Sequence, residues 1–122
     1  MLPPAVRMRD GREFGSTRRR GRRAGTSSLV VHLAVVDVRG SDVPSREVGL
    51  VTGRSVGPAV TRNRVKRRLR HLVADRLDTL PMGTRLVVRA LPPSATRSFD
   101  ELARDLDGAL ARAQRPREDT AR

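Results

Sequence analysis

The densest feature of the sequence is a stretch of ten residues, 61–70, in which six side chains are basic: Arg62, Arg64, Lys66, Arg67, Arg68 and Arg70. The apolar residues in and after this stretch follow the 3.6-residue spacing of a helix: Val65, Leu69, Leu72, Val73, Leu77 and Leu80. We therefore predict a helix from Gly57-Pro58 to Leu80-Pro81 with one apolar stripe. No Asp or Glu occurs between Val48 and Ala74. Because like charges at helical spacing repel one another, this pattern favours a polyanion partner over a merely solvated basic surface.

The composition supports the same interpretation. The chain has 122 residues and a formal net charge of +13, which fits one domain that binds nucleic acid, with an anionic membrane as the weaker alternative. Arginine supplies nearly all the cations, and its planar group suits phosphates and bases of RNA. The absence of cysteine excludes disulfides and Cys-based zinc sites. No apolar stretch has the length of a membrane span or a signal peptide, so we expect a cytoplasmic protein without a membrane partner.

The remaining elements follow from periodicity and turn residues. We predict a loose arm over 1–9, a short helix over 10–20, strands over 28–36 and 47–55, a loop over 37–46, a strand over 84–91 and a disordered tail over 114–122. Ser98 and Glu101 form a capping box that begins a last helix. Its predicted apolar stripe is Phe99, Leu102, Leu106 and Leu110. The order α-β-β-α-β-α, with a third strand possible in the early β region, predicts an α+β or α/β sandwich with helices packed against one sheet.

Two early features keep two interpretations each. Phe14 is either a core anchor for the first helix or a platform on which a base stacks. The arginines of 18–23 form either a basic arm or a second patch that contacts phosphates. By contrast, the sequence near the basic helix contains no paired carboxylates, no Ser-His-Asp set and no metal-spaced His/Asp cluster. Two-metal hydrolysis needs carboxylates to hold the ions, and the basic region has none.

The segment V-G-L-V at 48–51, followed by G-x-A-V-x-R-N-R-V-K-R-x-L-R at 57–70, resembles the signature of the bacterial ribonuclease P protein subunit. The resemblance covers about residues 8–113. It implies an α+β fold, a single-domain two-layer sandwich over 10–113 with the order α-β-β-β-α-β-α. It also implies a left-handed strand-helix-strand crossover, against the usual right-handed rule.

The same resemblance implies a function. Proteins of this family bind a large catalytic RNA, which removes the 5′ leader of precursor tRNA with bound Mg²⁺. We therefore expect no catalytic or metal-binding residue in the protein, Mg²⁺ held by the RNA, one protein per RNA and no DNA partner. The residues implied to contact the catalytic RNA are Arg62, Asn63, Arg64, Lys66, Arg67 and Arg70, to which we add Arg54. The residues implied to line the cleft for the leader are Phe14, Arg18 and His32.

The cleft differs from the family pattern, because Arg18 and His32 occupy positions that are commonly aromatic. Stacking of leader bases would then fall to Phe14, His32 and arginine planes. Two other classes of protein remain. A ribosomal protein or RNA chaperone would share the charge and size but would not need this motif. A helix-turn-helix DNA binder would need consecutive short helices, whereas strands flank the basic helix here.

Overall fold

The computed structural model describes residues 21–36 and 46–115. Residues 1–20, 37–45 and 116–122 lie outside this range, and with them the predicted arm, first helix, most of the loop and most of the tail. The described strands are β1 (Arg22–Gly25), β2 (Leu29–Val35), β3 (Arg46–Thr52) and β4 (Thr84–Ala90). The described α-helices are α1 (Ala59–Arg76) and α2 (Phe99–Gln114). Three 3₁₀ turns connect them at Arg54–Val56, Leu77–Thr79 and Pro92–Thr96.

The four strands form one sheet in the order β1-β2-β4-β3. β2 pairs antiparallel with both β1 and β4, whereas β3 and β4 are parallel neighbours joined through α1. Parallel neighbours require a crossover connection, and the basic helix provides it. The left hand of this crossover stays a prediction from the resemblance.

Both helices pack on the same face of the sheet. The strands alternate, so Leu29, Val31 and Leu33 of β2 point towards the helices, as do Leu86, Val88 and Ala90 of β4. The helices complete this core with Val65, Leu69, Leu72, Val73, Leu102, Leu106, Ala109, Leu110 and Ala113. The arrangement is the predicted two-layer α+β sandwich.

Several predicted boundaries change. β1 supplies the third early strand that the sequence left open, and it contains two of the arginines of 18–23. β3 ends at Thr52 rather than Ser55, because a 3₁₀ turn begins at Arg54. α1 ends at Arg76. Leu80 is buried, but it belongs to the connection between α1 and β4 and not to the helix.

The prediction that Phe99 belongs to the buried stripe of the last helix is wrong, because its side chain is 40% exposed. Its spacing fits the stripe, but it is the first helical residue, so no preceding turn of helix covers it. Leu102, Leu106 and Leu110 are buried as predicted.

The predicted capping box at the start of α2 is confirmed. The backbone N–H of Glu101 donates to Ser98 Oγ (3.1 Å), and the backbone N–H of Ser98 donates to Glu101 Oε1 (2.8 Å). The hydrogen bond from the Ser98 backbone is the main reason that the pKa of Glu101 lies below its ordinary value.

The turn before β4 depends on Gly83. Its φ is +86°, and a Cβ atom there would lie 2.0 Å from the carbonyl oxygen of Val36. The backbone N–H of Val36 donates to the carbonyl oxygen of Gly83 (2.9 Å), so the two backbones touch at this point. Only glycine permits both the conformation and the approach.

Candidate nucleic-acid interface

The arginines of α1 fall into two sets, and the first set binds the protein itself. Arg64 Nη2 donates to the carbonyl oxygen of Ala95 (3.0 Å), and Arg68 Nη1 donates to that of Arg97 (3.1 Å). Arg76 donates to both carboxylate oxygens of Asp107 on α2, which raises the pKa of Arg76 above its ordinary value. These bonds hold α1 against the 92–97 segment and against α2.

The second set is Arg62, Lys66, Arg67 and Arg70. None of these four side chains makes a hydrogen bond or ion pair with any residue that the structure describes. With about 100° of rotation per residue, they and Asn63 fall within a sector of about 140° on the side of the helix away from Arg64 and Arg68. We call this sector the basic face: Arg62, Asn63, Lys66, Arg67 and Arg70. Asn63 and Arg67 are exposed, and the other three are half-buried.

Nothing close to the start of α1 offsets this charge. The first turn contains no acidic residue, and Pro58 at the N-cap position provides no side-chain hydrogen bond. The positive end of the helix dipole therefore adds to the field. Arg54 is exposed on the turn that precedes the helix. Two acids of α2 are directed to another cation: carboxylate oxygens of Glu101 and Asp105 each lie 3.8 Å from a guanidinium nitrogen of Arg97.

A second candidate surface lies on the face of the sheet away from α1 and α2, which we call the outer sheet face. His32 on β2 is opposite Val87 on β4, and Arg89 is the partner in register of both Val30 and Val51. Side chains of His32, Val51, Val87 and Arg89 line a cavity of about 220 Å³. The structure thus places His32 at this cavity, and its role in a leader cleft stays a prediction. Phe14 and Arg18 lie outside the described residues.

Arg89 is the residue of this cavity that the sequence reasoning missed. It is exposed, and no described residue forms a hydrogen bond or ion pair with it. His32, in contrast, is only 8% exposed, so little of its ring is available to a ligand. The signal was present in the strand T-R-L-V-V-R-A-L, since arginines four residues apart on a strand project from the same face.

The other arginine of that pair, Arg85, is neutralised. Its Nε atom lies 2.9 Å from Glu47 Oε1 on the neighbouring strand, and both side chains are less than a tenth exposed. A charge at this depth is tolerated because it is paired. Arg89 therefore supplies the available positive charge at the cavity.

The described chain offers no site that fits a resident metal ion. Across 21–36 and 46–115, no three His, Asp or Glu side chains come together as metal ligands. No helix in these ranges is both long and apolar enough to cross a membrane.

Comparison with known proteins identifies the family. The sequence profile of the Ribonuclease P family matches residues 2–114. The chain belongs to this family. Among its relatives, the ribonuclease P protein component of Nocardioides sp. strain JS614 is 55% identical over 112 residues, covering 92% of this chain and 94% of the relative. That of Streptomyces griseus is 52% identical over 116 residues, with coverages of 92% and 94%.

Solved structures agree on the fold. The ribonuclease P protein of Staphylococcus aureus superposes with a TM-score of 0.78 at 18% identity, covering 89% of this chain and 95% of the other. The protein of Thermotoga maritima gives 0.73 at 22% identity, with coverages of 89% and 98%. At these identities the likeness confirms the α+β fold, and the family membership rests on the sequence.

Proposed function

We propose that the chain is the protein component of ribonuclease P, which binds the catalytic RNA through the basic face of α1 and so supports removal of the 5′ leader from precursor tRNA. The observation that carries the proposal is the division of the α1 cations. Arg62, Lys66, Arg67 and Arg70 lie together without a partner among the described residues, whereas Arg64 and Arg68 hold the helix in place. Cations arranged in this way neutralise successive phosphates of an RNA strand. The relatives support this function and give no support to a ribosomal protein or RNA chaperone.

For the leader we propose the cavity of the outer sheet face. Arg89 would contact a leader phosphate, and the half-buried Val51 would contact the sugar or base beside it. We expect His32 to contact a leader base only through the edge of its imidazole ring, because the ring is largely buried and no full face is open for stacking. Phe14 and Arg18 remain in the proposed cleft on the strength of the family resemblance alone.

The partners follow from this role. One copy of the protein binds one catalytic RNA, and precursor tRNA binds to the assembled particle. Mg²⁺ is required by the family's reaction, and the described donor set does not fit it, so we assign the ion to the RNA phosphates. We place the particle in the cytoplasm, because bacterial precursor tRNA is made there and the relatives are bacterial.

The basic face is tested by measuring the affinity of the catalytic RNA across a range of salt concentrations. Arg67→Ala should weaken binding roughly fivefold and reduce the salt slope by about 1, because one phosphate contact is lost. The matched control is Arg104→Ala, which removes an arginine that is also exposed, from α2. We expect no change for this control. An equal loss for both variants would mean that the RNA contacts the protein through another face.

The cavity is tested by the ratio of affinities for precursor and mature tRNA, measured on the particle assembled with catalytic RNA. Arg89→Ala should weaken the binding of precursor tRNA roughly three- to tenfold, since a charged contact to the leader is lost, and spare mature tRNA, which has no leader. Arg104→Ala again serves as control. If Arg89→Ala weakens both tRNAs equally, the cavity does not hold the leader.

A further inference from the structure

The residues that begin α1 are apolar, but the fold does not bury them. Pro58, Ala59 and Val60 are all exposed, and Val60 is 78% exposed. Among the large apolar side chains that the structure describes, no other is as exposed. Valine is also a weaker helix former than alanine, so Val60 gains neither burial nor helix propensity at this position. This is the A-V portion of the G-x-A-V segment, to which neither the core nor the basic face assigns a role.

A single exposed valine is common on protein surfaces, so the surroundings of Val60 decide what it means. One helical turn places Asn63 and Arg64 beside it, and a second turn places Arg67 there. On the other side, Arg54 and Ser55 are exposed on the turn that leads into the helix. The apolar step formed by Ala59 and Val60 therefore lies within two helical turns of Asn63, Arg64 and Arg67, and no acidic residue lies in the first turn of the helix.

We propose that Ala59 and Val60 pack against the sugar and base surface of the same RNA strand whose phosphates bind the basic face. The inference rests on the proposed function and adds a contact of a different kind. An RNA strand alternates charged phosphates with less polar ribose and base surfaces, so an apolar step between cations matches its chemistry. A lipid surface would require a larger apolar area, and a second copy of this chain would bring a cationic surface against another.

This contact has a property that separates it from the phosphate contacts. Burying an apolar surface releases no counterions, so it adds nothing to the slope of log affinity against log salt that counterion release produces. Removing Val60 should therefore weaken binding without altering the slope of log affinity against log salt. Removing Arg67 should change the slope.

The experiment measures the affinity of the full chain for the catalytic RNA at several salt concentrations. Val60→Thr keeps the branched shape and replaces one methyl group by a hydroxyl, and Val60→Ile keeps the apolar character. The matched control is Val35→Thr, which makes the same change at a valine that is 54% exposed at the opposite end of the sheet. Thermal unfolding of each variant checks the fold, which an exposed substitution should leave intact.

We expect Val60→Thr to weaken binding roughly fivefold with an unchanged salt slope, and Val60→Ile and Val35→Thr to bind as the wild type does. Unchanged affinity for Val60→Thr, beside a clear loss for Arg67→Ala, would overturn this inference and leave the proposed function standing. Failure of the wild type to bind the catalytic RNA would instead overturn the proposed function. A change in the sedimentation of the free protein caused by Val60→Thr, with RNA affinity intact, would make this surface a contact between copies and overturn the inference.

Discussion

Arg64 and Arg67 are three residues apart on α1, and their guanidinium groups have different surroundings. Arg64 reaches the carbonyl oxygen of Ala95, 31 residues further along the chain, whereas Arg67 is exposed and has no partner among the described residues. The sequence motif contains both, and helical spacing alone could not separate them. The separation depends on where the 92–97 segment packs, which is a tertiary contact. The sequence therefore predicted the basic helix but not which of its arginines hold the fold together.

The difference predicts unequal effects of the two arginines on stability. Arg64→Ala should lower the free energy of unfolding by about 1–2 kcal/mol, because the carbonyl oxygen of Ala95 loses its donor in a partly buried position. Arg67→Ala should change it by less than about 0.5 kcal/mol, as expected of an exposed side chain. Urea unfolding of the free protein measures both values. Equal stability of the two variants would show that the Arg64–Ala95 bond contributes nothing to docking of the helix.

At the scale of elements, short sequence patterns predicted the helix and strand positions that depend on neighbouring residues. The capping box located the start of α2, a run of β-branched and apolar residues located β2, and the turn residues and prolines on either side located β4. β1 was not predicted as a strand, because its four residues include two arginines and no β-branched residue. Its pairing with β2 comes from the sheet and not from its own propensity. The strand order likewise depends on long-range pairing that no window of sequence contains.

The approach of two backbones at Gly83 gives a prediction for the turn before β4. Gly83→Ala should destabilise the protein by about 3 kcal/mol or more, because the added methyl group meets the carbonyl oxygen of Val36 and φ is positive. Gly53→Ala is the matched control, since its φ is −79° and no atom lies within 4 Å of the added Cβ. We expect Gly53→Ala to be neutral or slightly stabilising. Thermal unfolding compares the two, and a similar melting temperature for both variants would contradict this account of the turn.

At the scale of the molecule, the charges are separated. Three acids of α2 have partners in the protein: Asp107 pairs with Arg76, Glu101 lies beside Arg97, and Asp105 lies beside Arg97 and accepts a hydrogen bond from Ser28. The first half of α1 and the turn before it contain only cations and uncharged residues. A large excess of positive charge destabilises a compact protein through self-repulsion, and a polyanion relieves that cost. Among the described residues, the same separation leaves the first half of α1 and the turn before it without carboxylates that could hold Mg²⁺ or activate water.

This separation predicts that the protein cannot perform the reaction alone. Purified protein with Mg²⁺ should leave precursor tRNA intact, because no three His, Asp or Glu side chains of the described residues come together as metal ligands. Adding the cognate catalytic RNA should produce removal of the 5′ leader at low salt, and the gain should fall as salt rises, since the assembly depends on phosphate contacts. The measurement is the rate of leader release with protein alone, RNA alone and both together.

As a control, Arg67→Ala should reduce the rate at limiting protein and approach the wild-type rate at saturating protein, because it affects assembly and not chemistry. Leader release by protein that has been treated to remove all RNA would show that the chain itself contains a catalytic site.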